Sequence, residues 1–122
     1  MRRVDQSQNA CPIARSLNIF GDGWSLLIIR DAFFGKKRFG EFQESLGVAK
    51  NILSARLKML VDAGIMEAVL LFDGTSHSEY ELTEKGRALK PVLGAIREWG
   101  NAWCERKGAR KHAPGLRSKS KL

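Results

Sequence analysis

Between residues 48 and 66 the chain reads VAKNILSARLKMLVDAGIM. Leu53, Leu57 and Leu60 stand at i, i+4 and i+7, so they share one stripe of a 3.6-residue helix, and that stripe is expected to be buried. The opposite face carries Asn51, Ser54, Ala55 and Lys58. A helix that needs only to be soluble more often shows Glu and Lys pairs there. Gly64 closes this helix, and three residues ahead of it RFGEFQESLG predicts a shorter one, anchored by Phe39, Phe42 and Leu46 and broken by Gly47.

Upstream, CPIARSLNIF places Pro12 at a first helical position, and Ile13, Leu17 and Phe20 then fall on one face. GDGWSLLIIRDAFFG offers Asp22 as a cap and Gly35 as a stop. Between them Trp24, Leu27 and Ile28, with Leu26, Ile29 and Phe33, wrap most of the helix in apolar side chains, which predicts a central element. Downstream, IMEAVLLF and EYELT flank the turn cluster DGTSHS and predict a β-hairpin in which Tyr80 and Leu82 alternate with Glu79 and Glu81. Thr83 can cap the last helix, whose apolar stripe runs through Leu89, Val92, Leu93, Ile96, Trp99 and Trp103. Pro91 removes a backbone donor inside that pattern, so a kink or break is expected near residues 87 to 90.

The expected fold is therefore mainly α with a small antiparallel β-hairpin. A chain of 122 residues with 43% hydrophobic content supports one core and not two. Residues 11–106 are expected to form that domain, with an N-terminal arm over 1–10 and a basic, disordered tail over 107–122. No apolar run reaches membrane-spanning length, and MRRVDQSQNACP has no apolar stretch behind its arginines, so a cytoplasmic protein without membrane contact is expected.

Charge sharpens the picture less than the total of +8 suggests. From residue 105 onward seven basic side chains face Glu105 alone, so most of the excess sits in the tail, GARKHAPGLRSKSKL. Such a Gly-, Pro- and Ser-containing end is a solubilising segment or a supplementary nucleic-acid contact.

Two short helices joined by about three residues with a glycine in the turn match the helix-turn-helix, whose second helix enters the DNA major groove. On this view Asn51, Ser54, Ala55 and Lys58 approach base edges of double-stranded DNA, Lys50 lies near the helix start, and Arg56 either meets phosphate or joins an intramolecular ion pair. Lys36, Lys37 and Arg38 open the motif and would clamp a flanking phosphate, or remain a solvated loop. The hairpin that follows is then a wing, touching the backbone through Thr75, Ser76 or His77, since its tip has no Lys or Arg. The apolar stripe of the last helix, with that of the first, predicts a homodimer through the terminal helices, hiding Ile13, Leu17, Ile96, Trp99 and Trp103.

Catalysis is not expected. His77 and His112 have no convergent partners, and neither a cofactor motif nor metal-ligand spacing is visible, Cys11 and Cys104 lying far apart. A winged-helix protein-interaction module without specific DNA binding is the alternative function. No pattern names a small-molecule effector.

In combination, CPI, then IFGDGW with LLIIRDAF, then RFGEFQ through NILS, RLK and AGI, then YELTEKGRAL with PVL and WG, resemble the HxlR family of bacterial winged helix-turn-helix transcription regulators, distant relatives of the MarR family. The resemblance covers roughly residues 10 to 104. It implies a homodimer whose two recognition helices read a pseudo-palindromic operator. Gly23 stands where members often carry Lys or Arg, and the wing lacks their Arg/Pro-rich segment, so charge against the DNA backbone is reduced. Cys11 precedes Pro12 at the expected start of the first helix, where the positive end of the helix dipole favours an anionic sulfur. Some relatives use a cysteine in this position to sense oxidants or electrophiles; Cys104 is then a resolving partner across the dimer. A small packing residue is the plainer role for Cys11.

Overall fold

The computed structural model describes residues 4–71 and 78–106. Up to Leu89 the chain forms one unit, built on four helices, a hairpin and a helical turn: α1 (Pro12–Phe20), α2 (Ser25–Phe33), α3 (Phe39–Leu46), α4 (Lys50–Asp62), β1 (Met66–Leu70), β2 (Ser78–Leu82) and α5 (Glu84–Arg87). A second unit begins at Lys90 and contains α6 (Lys90–Trp103).

The core of the first unit lies where the periodicity places it. Leu53, Leu57 and Leu60 of α4 are buried, as are Ile28 and Ile29 of α2, Phe42 of α3, and Val48, Ile65 and Met66 at the joints around α4. Burying each such side chain contributes about 1.5–3 kcal/mol, so this stripe supplies much of the force that seats α4. The all-round apolar pattern of α2 is only partly used: Leu26, Leu27 and Phe33 are half-buried, and the remaining buried positions are Ser25 and Asp31. Asp22 does not flank the helix directly, since α2 begins at Ser25, but its Oδ1 accepts the N–H groups of Trp24 at 2.7 Å and Ser25 at 2.9 Å and so satisfies its open end.

The two strands pair antiparallel, Met66 opposite Leu82 and Leu70 opposite Ser78. β1 takes up Met66–Leu70 of the apolar run, with Met66 buried and Glu67 to Leu70 exposed. β2 is half-buried along its whole length instead of alternating. Its glutamates are covered by a third extended segment: the N–H of Tyr80 donates to the carbonyl of Lys37 at 2.8 Å, and Arg38 bridges to Glu79. Thr83 does cap a helix, its Oγ1 accepting the N–H of Gly86 at 3.1 Å, but that helix is the single turn α5. The break expected around Pro91 falls at Ala88 and Leu89, before α6 starts.

No helix among the described residues is long and apolar enough to cross a membrane. Residues 107–122, expected as a tail, lie outside the described residues, as does the wing tip with Thr75, Ser76 and His77.

Candidate nucleic-acid interface

The joint between α3 and α4 is built from Gly47, Val48 and Ala49. Gly47 has a φ of +64°, a left-handed conformation that a side chain disfavours, and its N–H donates to the carbonyl of Gln43 at 2.8 Å to end α3. Val48 is buried beneath the turn, which fixes the angle at which α4 departs. With its leucines inward, α4 turns Lys50, Asn51, Ser54, Ala55 and Lys58 to the surface. Lys58 is paired with Asp62 one turn on, Nζ to Oδ2 at 3.0 Å, both largely exposed. Such an exposed i,i+4 pair is worth about 0.3–0.5 kcal/mol and yields readily to a phosphate or a base.

Ile52 also faces solvent from α4. It was legible as falling off the Leu53, Leu57, Leu60 stripe. Arg56, by contrast, is turned inward: its Nη1 lies 3.4 Å from Oδ2 of Asp22, and both side chains are largely shielded. Of the two roles open to Arg56, the structure shows the intramolecular one.

The basic turn is more neutralised than its sequence suggests. Lys37 faces Glu81 at 3.7 Å and Arg38 faces Glu79 at 3.6 Å, both glutamates coming from β2. Glu41 Oε1 accepts the N–H groups of Lys37 and Arg38, and these, with the side chains of Lys36 and Arg38, hold its carboxyl below the usual range. The carboxylates of a strand some forty residues away thus anchor the turn, an arrangement that no local pattern announces.

The far end of α4 is held by Lys85, which the sequence pattern did not single out, and by Thr83, which it singled out only as a cap. Lys85 Nζ donates to the carbonyl of Ala63 at 2.7 Å, a cation on the C-terminal end of the helix. Thr83 Oγ1 donates to the carbonyl of Gly64 at 2.5 Å, with the carbonyl oxygen of Ile65 farther off at 3.1 Å. The glycine in TEKG was the available signal, since glycine inside a helical turn usually marks a close backbone approach.

Cys11 is the N-cap of α1 and is exposed, as is Cys104 beyond α6. Ile13 and Leu17 are exposed on α1, and α6 exposes Val92, Ile96, Trp99 and Trp103.

This arrangement of a buried leucine stripe, an αL turn and a short hairpin coincides with a family model described as HxlR-like helix-turn-helix, which matches residues 19–108. The chain belongs to the HxlR-like helix-turn-helix family. Among its relatives, Rv3095 of Mycobacterium tuberculosis, named a helix-turn-helix-type transcriptional regulator, is 39% identical over 77% of the chain. The match spans only 60% of that mycobacterial protein's length. Among solved structures, PA1607, proposed to be a transcription factor, superposes with a TM-score of 0.81 at 52% identity, covering 98% of this chain and 82% of its own. The reduced form of the transcriptional regulator YodB from Bacillus subtilis superposes with a TM-score of 0.68 at 35% identity, covering 78% of this chain and 95% of YodB. YodB has also been solved after diamide treatment. Rv3095 and YodB are both named transcriptional regulators.

Proposed function

We propose that this chain is a cytoplasmic DNA-binding transcriptional regulator that acts as a homodimer on a pseudo-palindromic operator, with α4 in the major groove. The observation that carries this reading is the exposed face of α4, where Asn51, Ser54, Ala55 and Lys58 stand clear of the protein while the leucines behind them are buried. Asn51 fits adenine, Lys58 fits guanine or a phosphate, and exposed Ile52 fits a thymine methyl. Lys36, Lys37, Lys50 and the wing residues Thr75, Ser76 and His77 supply backbone contacts. The family supports the regulatory role, and HxlR relatives such as YodB are named for it.

The test is a selection of bound sequences from random duplex DNA. A recovered consensus with two half-sites, bound with an affinity that falls steeply as salt rises, is the expected result. A salt-insensitive partner reached through apolar surface would favour a protein-interaction module instead. At the selected site Asn51→Ala and Lys58→Ala should each cost about 1–3 kcal/mol if they read bases. A loss that is smaller and equal on all sequences would assign Lys58 to phosphate. No loss for either variant would remove α4 from the interface.

The same regulator is proposed to respond to oxidants through Cys11. Exposure of the thiol at the helix start supports this, as does the solution of YodB both reduced and treated with diamide. Diamide takes two electrons and two protons from a pair of thiols, leaving one disulfide; Cys104 of a second copy is the proposed resolving thiol. The disulfide would shift α1 in the dimer seam and change the separation of the two recognition helices. Diamide is expected to weaken operator binding by about tenfold or more in the parent and to leave Cys11→Ser unaffected. Equal binding by the oxidised and reduced parent would return Cys11 to a packing role.

A further inference from the structure

Arg56 is the charged residue of α4 that is neither on the buried leucine stripe nor on the exposed face with Asn51, Ser54 and Lys58. At about 100° per residue it lies roughly 70° from the centre of the Leu53, Leu57, Leu60 stripe, and roughly opposite the mean direction of Asn51, Ser54 and Lys58. Its guanidinium is met there by a carboxylate that is itself fixed. Asp22 Oδ1 accepts the N–H groups of Trp24 and Ser25, and Oδ2 accepts the hydroxyl of fully buried Ser25 at 2.5 Å while facing Arg56 Nη1 at 3.4 Å. Asp22 also follows Gly21, the residue that ends α1. One carboxylate therefore ties three elements together: the exit of α1, the start of α2 and the middle of α4.

We infer that Asp22 and Arg56 are positioning residues for DNA reading: the pair sets the rotation of α4 about its own axis and thereby aims Asn51, Ser54 and Lys58. The leucine stripe seats the helix but does not fix its rotation tightly, because apolar contact is non-directional. An ion pair largely shielded from solvent, made on one flank of the helix to a carboxylate that is itself held in place, pulls that flank toward one point and is weakly screened. The requirement is strict. Reading side chains project about 6 Å from the axis, so a rotation of about 10° displaces their tips by about 1 Å, enough to spoil hydrogen bonds to a base edge. The inference rests on the reading of α4 as the recognition helix.

A double-mutant cycle on the full chain tests it. Asp22→Asn keeps an oxygen for the Trp24 and Ser25 N–H groups and removes only the charge; Arg56→Gln removes its partner. Each single variant should lower affinity for the selected duplex about tenfold, leave binding to random duplex and the salt slope unchanged, and lose no more in combination than alone. Arg56→Lys restores a cation and, because the contact is made through one nitrogen, should return to within about threefold of the parent. A salt slope reduced by about 1 in Arg56→Gln, with random duplex weakened equally, would make Arg56 a phosphate contact and overturn the assignment. Additive losses would do the same. In the DNA-free chain, the Arg56 guanidinium NMR signals should be slowed in exchange and should revert in Asp22→Asn; identical signals overturn the pair whatever the DNA result. A parent that prefers no duplex while keeping those signals overturns the reading of α4, and the positioning role with it, and leaves the pair to the fold alone.

Discussion

Trp99→Glu is expected to leave a folded monomer and to cut operator affinity by about 100-fold or more, because two half-sites joined in one dimer gain that much from effective concentration alone. Val92, Ile96, Trp99 and Trp103 recur at i, i+4, i+7 and i+11, so they form one stripe along α6, and none of the residues of that helix is buried. Trp99 is 62% exposed and Trp103 57%. On α1, Ile13 is 69% exposed and Leu17 lies one turn away on the same face. Two tryptophans left in water on one helix are costly, and burial against a second copy is the proposed relief. Sedimentation of the DNA-free chain at micromolar concentration checks the first half of the prediction, and titration of a full operator against a single half-site checks the second. Half-site affinity should be nearly unchanged, since α4 is untouched. A parent that sediments as a monomer would contradict the dimer outright.

Gly86→Ala is expected to destabilise the chain by about 3 kcal/mol or more, lowering the urea midpoint by about 1 M or more. Helix propensity alone argues for the opposite sign, since exchanging glycine for alanine inside a helix gains about 1 kcal/mol. Sterics decide the matter. A Cβ on Gly86 would stand 2.2 Å from the carbonyl oxygen of Ile65 and 3.2 Å from its carbon. The methyl of Leu82 at 3.0 Å can swing aside, but the carbonyl cannot, because it is backbone and accepts the N–H of Thr83 at 3.0 Å. The substitution must therefore push α5 away from the start of β1 and loosen the end of α4 that Lys85 and Thr83 hold. Chemical unfolding of the two chains measures the sign directly, and a stabilised variant would show that this close approach relaxes at little cost.

Much of the fold was legible in the sequence for a common reason: helix and strand signals are local. The leucines of α4, the glycine after α3, the hairpin and the break ahead of Pro91 each depend on residues within a few positions of one another, where 3.6- and 2-residue periods are readable. The exposed face of α4 with Asn51, Ser54, Ala55 and Lys58 was legible too, as the part of its surface that the leucines leave over. Strand ends and the evenly half-buried β2 were not. Their burial depends on Lys37 and Arg38, which join β2 from beyond α3 and α4.

Family, element order and the inward stripe of α4 were thus determined by the sequence itself, since apolar burial follows from spacing and needs no particular partner. Which cations the chain's own carboxylates hold was decided only in three dimensions. Arg56 and Lys58 stand two residues apart on one helix, yet Arg56 meets Asp22, just after α1, while Lys58 meets Asp62 of its own helix. Lys85 reaches Ala63 across twenty-two residues, and Gly86 is required by a carbonyl twenty-one residues before it. Polar contacts of this kind are short-ranged and directional, so they form only after packing has brought distant segments to within a few ångströms. Spacing along the chain records which residues are apolar; it does not record which charges the finished packing will bring together.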